Sequence, residues 1–306
     1  MSTKLIVFDV NNAACSLAVC PNGNGLMVDC GSHSEKGCPV DFINGTYKNW
    51  LGMKPYETRF GRQYPLSLLH ITHPDDDHVR NAKKVKEALE PYLVCKREYE
   101  EFPRDENIHE EYKELIDKKY RGKNPETILW GFDPENVFSI GIDEILKNEE
   151  LSKKVKNNSS MIRLIKYGGK KILFGGDLET EGWEWLAKND QNFINAMQDG
   201  VDILIAPHHG HKSGFPTTLF NLTGDVEIVI LSKASESEKD DTDVSTRYAE
   251  HSKGVKYKSL KSQDYFFGKT LTTRSNGDVF VEIDNNGNMT FFTEKASSNH
   301  ESVSNC

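Results

Sequence analysis

Three times in this chain an apolar, strand-like run empties directly into a cluster of ionisable side chains. LSLLHIT leads into His73-Pro74-Asp75-Asp76-Asp77-His78, KKILFG into Gly176-Asp177, and VDILIAP into His208-His209-Gly210. Ionisable groups placed repeatedly at strand exits are what a metal-centred site at the edge of an α/β sheet requires, because loops carry the ligands while the sheet fixes their positions. Carboxylates packed as densely as those of residues 75–77 repel one another unless divalent cations screen them. Alternate residues His73 and Asp75 can then face one ion while Asp77 and His78 face its neighbour. Asp177 is suited to bridge, since a carboxylate has two oxygens and spans ions about 3.5–4 Å apart.

The probable donors read from these clusters are three imidazoles (His73, His78, His209) and three carboxylates (Asp75, Asp77, Asp177). That oxygen-rich set predicts two divalent metal ions, Mn²⁺ ahead of Zn²⁺ without excluding it. Adjacent side chains at a strand end point in different directions, so one of His208 and His209 is expected to ligate. We assign His209 as the ligand, and His208 as the group that touches substrate or protonates a leaving oxygen. Asp77 and His208 are the candidate catalytic residues. His211, Lys212 and Ser213 follow the His-His-Gly turn, where they either hold an anionic phosphate or form an exposed polar loop. Asp76 faces away from the alternating pair and reads as a helix cap, and His70, inside the preceding strand, as a core histidine.

The remaining pattern surrounds these clusters with regular elements. KLIVFDV, CSLAVC and GLMVDCG read as a β-meander with a turn at Pro21–Gly25. From Val79 the apolar spacing becomes helical, so the acidic cluster sits between a strand end and a helix start, where the helix dipole favours carboxylates. Residues 96–155 are dense in charge and read as a helical insertion or cap. SMIRLIKYG and KKILFGGD form a hairpin through Gly168-Gly169, WEWLAKNDQNFINAMQ an amphipathic helix, and VKYKSL, KTLTTRSNGDVFVEI and MTFFTE closing strands. Residues 295–306 read as a flexible tail.

Charge and cysteine usage exclude several classes. With 38 Lys+Arg against 47 Asp+Glu the net charge is −9, which repels nucleic acid and anionic membranes unless bound metal or a local basic patch reverses the field. A sliding DNA binder is therefore disfavoured. The start MSTKLIVFDV lacks a signal-peptide pattern, and no run of about 18 apolar residues suggests a membrane span; a cytoplasmic protein is expected. Six cysteines without C-x-x-C pairing suit reduced thiols.

The residues quoted above resemble the metallo-β-lactamase fold hydrolases, and within them the branch containing the soluble hydrolase domain of the DNA-uptake channel protein ComEC. That branch uses H-x-D-x-D-H, matched here by His73, Asp75, Asp77 and His78. Asp29-Cys30-Gly31 resembles the family's structural Asp-x-Gly. The segment beginning Asn157-Asn158-Ser159-Ser160 resembles its Asn-Asn-x-Ser, ahead of the Gly-Asp that supplies the bridging ligand, Asp177. The resemblance covers roughly residues 4 to 285 and leaves 96–155 unmatched. It implies an α/β class αβ/βα sandwich of the metallo-β-lactamase type: two mixed sheets flanked by helices, with a helical insertion, in one hydrolase domain over residues 1–290. Three departures stand out. Asp9-Val10-Asn11-Asn12-Ala13-Ala14 replaces the branch's Asp-Val-Gly-Gln-Gly-Asp, DTDVSTRYAEHSKG replaces its Tyr-Gly-His-Pro stretch, and no metal-binding His precedes Asp177 at residues 157–160. The first metal position is thus short of a ligand.

A dinuclear metal centre holds a water or hydroxide, lowers its pKa and stabilises charge on the attacked centre. The resemblance implies a metal-dependent phosphodiesterase or nuclease acting on DNA or another nucleotide, with the insertion as a lid or a surface for a protein partner. Two alternatives stay open. One is a hydrolase of a small ester, lactone or phosphocholine-type substrate. The other is a catalytically degenerate module that binds metal or nucleotide.

Overall fold

The computed structural model describes residues 2–33, 35–115, 133–233 and 244–303, with the backbone alone at 133–136. Two stacked sheets carry the fold. The larger has ten strands in the order Glu301–Val303, Tyr265–Gly268, Val255–Ser259, Met289–Thr293, Val279–Asp284, Ser2–Val7, Cys15–Val19, Gly25–Cys30, Leu68–His70 and Leu93–Cys95. The smaller has six, in the order Thr270–Thr272, Ile228–Leu231, Ile203–Ile205, Lys170–Phe174, Ile162–Tyr167 and Asp133–Phe138. Both sheets are mixed. The opening meander is antiparallel, whereas Gly25–Cys30, Leu68–His70 and Leu93–Cys95 run parallel, as do Lys170–Phe174, Ile203–Ile205 and Ile228–Leu231.

The strands read as continuous apolar runs because both faces of each sheet are covered. Side chains alternate between the two: Leu5, Val7, Ile172, Phe174, Ile203, Ile228 and Ile230 fill the space between the sheets. Their neighbours Ile6, Phe8, Leu173, Leu204, Val229 and Leu231 join a second core that includes Val85, Trp183, Leu186 and Phe193 from the helices. Four layers result, helix–sheet–sheet–helix. Among the described residues no helix is long and apolar enough to cross a membrane. The described cysteines, Cys15, Cys20, Cys30, Cys38 and Cys95, are free thiols.

Several expectations need amending. The run Trp183–Gln198 is two helices, Thr180–Asn189 and Gln191–Gln198, because Asp190 leaves helical geometry and its carboxylate caps the amides of Asn192 and Phe193. The inserted segment is not purely helical. Asp133–Phe138 adds a strand to the edge of the smaller sheet, pairing with Ile162–Tyr167, while residues 116–132 lie outside the described residues. The tail is tied down over its described part, since Glu301–Val303 pairs with Tyr265–Gly268 and the Tyr257 hydroxyl lies 2.8 Å from His300 Nδ1. Asp76 is not a cap: the short helix Asp76–Val79 begins after Asp75, and the Asp76 carboxylate instead meets Arg80 and, at 3.0 Å, His109 Nε2 of the insertion. His70 is a fully buried core residue whose Nε2 lies 2.8 Å from the Met161 carbonyl oxygen.

The layered packing predicts a graded response to truncation. Leu204, fully buried, should cost about 2–5 kcal/mol of unfolding free energy as Leu204→Ala. Leu146, 46% exposed, should change it by less than about 0.5 kcal/mol as Leu146→Ala. Urea denaturation of the two variants checks the contrast.

Candidate metal centre

The three ionisable clusters follow the carboxyl ends of parallel strands in both sheets, Leu68–His70, Lys170–Phe174 and Ile203–Ile205, the edge at which α/β sheets place their sites. Asp177 lies at the centre, 4% exposed. Its two oxygens face two different groups. On the Oδ1 side His78 Nε2 lies at 3.1 Å and His209 Nε2 at 3.7 Å, and His209 Nε2 is 3.3 Å from Asp77 Oδ2. On the Oδ2 side are His208 Nε2 at 3.7 Å and His73 Nε2 at 3.9 Å, the latter 3.5 Å from Asp75 Oδ2.

Donor atoms of Asp77, His78, Asp177 and His209 all fall within 4.8 Å of one another, the one such group among the described residues. Four atoms of the centre, His73 Nε2, His78 Nε2, His209 Nε2 and Asp177 Oδ1, are buried and make no hydrogen bond. Buried polar atoms without partners are costly. Two imidazoles and two carboxylates converging on a common point fit a divalent cation, which would satisfy His78 Nε2, His209 Nε2 and Asp177 Oδ1 together. These four residues therefore fit one divalent cation.

The opposite ring nitrogens of His73, His78 and His208 are held by the protein, as metal-bound imidazoles require. Asp29 Oδ2 lies 2.8 Å from His78 Nδ1, and Asp29 also accepts the Thr72 amide at 2.8 Å and the Thr72 hydroxyl. Thr72 Oγ1 is in turn 3.1 Å from His73 Nδ1. On the other wall His208 Nδ1 lies 3.1 Å from Ser213 Oγ and 3.5 Å from Glu179 Oε1, and Asn157 donates to that same glutamate oxygen at 2.7 Å. Ser213 Oγ also lies 2.8 Å from His211 Nδ1. Two predicted substrate contacts, His211 and Ser213, are thus placed behind His208, and Lys212 is exposed beside them.

Both paired histidines face Asp177, and of the two only His209 belongs to the group of converging donors. His208 and His209 both adopt left-handed backbone, with φ of 48° and 52°, ahead of Gly210 at 78°. The turn is coiled, not extended, so neighbouring imidazoles reach opposite oxygens of one carboxylate. Left-handed geometry at consecutive non-glycine residues is strained, and here it aims both rings.

Electrostatics bind the cluster together. Burial works against protonation of His78, yet Asp177, Asp29 and Asp77 hold it well above the ordinary imidazole value. Burial alone would raise the Asp77 and Asp177 carboxyls; His78 and His209 hold both below the usual range. His208 is likewise lowered by burial but raised overall by Glu179 and Asp177. Asp75 lies below the usual range, its burial offset by His73 and by the ammonium of Lys156, which forms an ion pair with Asp75 Oδ1.

Two backbone features seat the Asp77 loop. A Cβ at Gly31 would lie 1.8 Å from the Asp77 carbonyl oxygen, so only glycine allows that approach. Ala14, in the segment that departs from the ComEC pattern, donates its amide to the same carbonyl at 3.0 Å. Lys156 and Glu179 were not anticipated from the sequence. Glu179 stands two residues past Asp177 at a helix start, and that acidic spacing is a signal available in the sequence; Lys156 carries none, because only folding brings it to Asp75.

Comparison with known proteins agrees with this geometry. The profile of the Metallo-beta-lactamase superfamily matches residues 9–215. ComE operon protein 3 of Bacillus subtilis (strain 168) is 28% identical over 152 residues, 48% of this chain and 17% of that protein's length. The match thus spans under a fifth of that relative. Among solved structures, the metallo-beta-lactamase fold protein YhfI from Bacillus subtilis aligns over 95% of this chain and 100% of its own, with 9% identity and a TM-score of 0.47. Igni18, a metallo hydrolase from the archaeon Ignicoccus hospitalis, aligns over 95% and 98%, with 12% identity and a TM-score of 0.42.

The role given to Asp29 is testable. Asp29→Asn keeps a residue that tolerates the left-handed φ of 57° but removes the carboxylate behind His78. Metal affinity, read by competition with a chromophoric chelator, should fall roughly 10–100-fold while the far-ultraviolet circular dichroism spectrum stays unchanged. An undiminished affinity would contradict the assignment.

Proposed function

Because this chain belongs to the metallo-β-lactamase superfamily, a superfamily of metal-dependent hydrolases, we propose that it is a phosphodiesterase or nuclease acting on DNA or another nucleotide. The observation that carries the reading is the convergence of Asp77, His78, Asp177 and His209 beside an ammonium, Lys156, that pairs with Asp75. A cation-binding centre with a fixed positive side chain next to it suits an anionic, phosphate-bearing substrate better than a neutral one. The H-x-D-x-D-H string shared with the ComEC branch favours the same chemistry.

When bound, a divalent ion at these donors, Mn²⁺ or Zn²⁺, supplies Lewis acidity and lowers the pKa of a coordinated water. The chain's own residues do the rest. Asp77, Asp177, His78 and His209 fix where the cation sits, and the Thr72–Asp29 network keeps the imidazole of His78 from turning away. His208, 24% exposed at its side chain and held from behind by Glu179 and Ser213, faces the open side of the centre. From there it hands a proton from Nε2 to the departing oxygen. Lys212 at the exposed turn and Lys156 at the rim draw the phosphate in. We place the protein in the cytoplasm, with residues 96–155 as a lid or a surface for a protein partner; His109 of that segment already touches the metal-loop residue Asp76.

A small neutral or zwitterionic ester is the second reading, favoured by the net charge of −9, which opposes long-range attraction of nucleic acid. Incubation with single- and double-stranded DNA, RNA and bis(p-nitrophenyl) phosphate across Mn²⁺, Zn²⁺ and Mg²⁺ separates the two. Phosphodiester cleavage is expected, and Asp77→Ala and Asp177→Ala should each lose turnover and metal uptake together. Cleavage of a lactone or a phosphomonoester with no action on any phosphodiester would overturn the nuclease reading in favour of the second.

A further inference from the structure

The two sides of Asp177 are not equivalent. The Oδ1 side offers four donors within 4.8 Å of one another, and the Oδ2 side, with His73, Asp75 and His208, forms no such group. What the Oδ2 side has instead is Lys156. Its Nζ pairs with Asp75 Oδ1 and donates to the Asn107 carbonyl oxygen at 3.3 Å, and its side chain is 26% exposed. It stands directly before Asn157–Ser160, a segment without a histidine.

The backbone that presents this lysine is anchored on every side. Asn157 donates to Glu179 at 2.7 Å, buried Asn158 donates to the Leu151 carbonyl at 2.9 Å, and the Ser159 hydroxyl donates to the Lys156 carbonyl at 2.6 Å. The ammonium is therefore a placed charge and not a wandering surface one. A divalent cation between His73, Asp75 and Asp177 would have to share the Asp75 carboxylate with it, in a partly buried setting where repulsion between cations is weakly screened.

We propose that the centre works with one divalent ion, at Asp77, His78, Asp177 and His209, and that the Lys156 ammonium takes the place of the second. Lys156 neutralises Asp75 in the resting protein and, when substrate enters, donates to a non-bridging phosphoryl oxygen. A compact ammonium serves this purpose well, since it offers a full charge and three donors without demanding a ligand sphere of its own. This deepens the phosphodiesterase reading and rests on it for the identity of the substrate. It also makes the site favour anions, because a neutral lactone carries no charge for Lys156 to pair with.

The test needs no turnover. Whole protein stripped with a chelator and reloaded with Mn²⁺ is dialysed, its metal content measured by mass spectrometry and its electron paramagnetic resonance spectrum recorded. One Mn²⁺ per chain with an isolated six-line signal is expected. Inorganic phosphate is then titrated calorimetrically into the Mn²⁺-loaded protein. Its affinity should fall roughly tenfold or more in Lys156→Met, the loss of one hydrogen bond to a charged group, and Lys156→Arg should retain most of it. Two Mn²⁺ per wild-type chain with a spin-coupled signal would overturn the proposal. So would phosphate affinity that Lys156→Met leaves unchanged while its melting temperature matches wild type. If Lys156→Met lowers the melting temperature, the wild-type metal count and the Lys156→Arg titration decide alone. Failure of the protein to cleave any phosphodiester would sink the functional reading and leave these two results standing.

Discussion

A buried carboxylate with imidazoles on both of its oxygens sets the terms for everything around it. Asp177 is 4% exposed, and a charge at that depth persists only where partners compensate its lost hydration. His78 and His209 do this on one oxygen, His73 and His208 on the other. Yet none of these contacts satisfies Asp177 Oδ1 or the Nε2 atoms of His73, His78 and His209 as hydrogen bonds. The cluster is incomplete as a polar network and complete as a ligand set. The two sheets give it rigidity, since Lys170–Phe174, Ile203–Ile205 and Leu68–His70 end beside one another with both faces packed, so the loops start from fixed points.

Strain is concentrated where those loops must turn. Asp29, His208 and His209 all hold positive φ without being glycine, and two of them are pinned by side-chain partners: Asp29 by Thr72 and His78, His208 by Ser213 and Glu179. A left-handed residue with a branched network behind it is costly to assemble and hard to displace, which favours a preorganised centre over one that gathers around its cation. Gly31 makes the complementary contribution, letting the strand exit at Asp29 pass against the Asp77 carbonyl where any side chain would collide.

Much of this was legible in the sequence because it depends on local pattern. Apolar runs ending in His, Asp or Gly-Asp marked the strand exits, and in the structure His73 lies beside Asp75 on one side of Asp177 while Asp77 lies beside His209 on the other. The Gly168-Gly169 hairpin was equally plain, with φ of 57° and 75°. What escaped was non-local. The reach of both His208 and His209 depends on a coiled turn that alternation rules do not describe. Asp76 was taken from its capping role by His109, which lies 33 residues on along the chain (109 − 76). Lys156 meets Asp75 across 81 residues (156 − 75), a pairing created by the way the insertion returns to the sheet edge, where Asp133–Phe138 finds an unpaired strand.

The acidic balance takes on a different sense once charge is located. A net −9 says that a distant polyanion meets a repulsive field, but screening confines surface charge to about 8–10 Å at physiological salt. Inside that range the cleft is governed by its own groups. Asp75 is paired with Lys156 and Asp76 with Arg80, while Asp77 and Asp177 face the imidazoles of His209 and His78. One divalent ion moves the total only to about −7 (−9 + 2), yet held by Asp77 and Asp177 with His78 and His209 as neutral ligands it would cancel both carboxylate charges at the centre. An acidic exterior thus surrounds a centre whose own charges are balanced at short range. On the proposed reading, capture is a short-range event whose strength is set by the cation and by the ammonium beside it, not by the charge of the molecule as a whole.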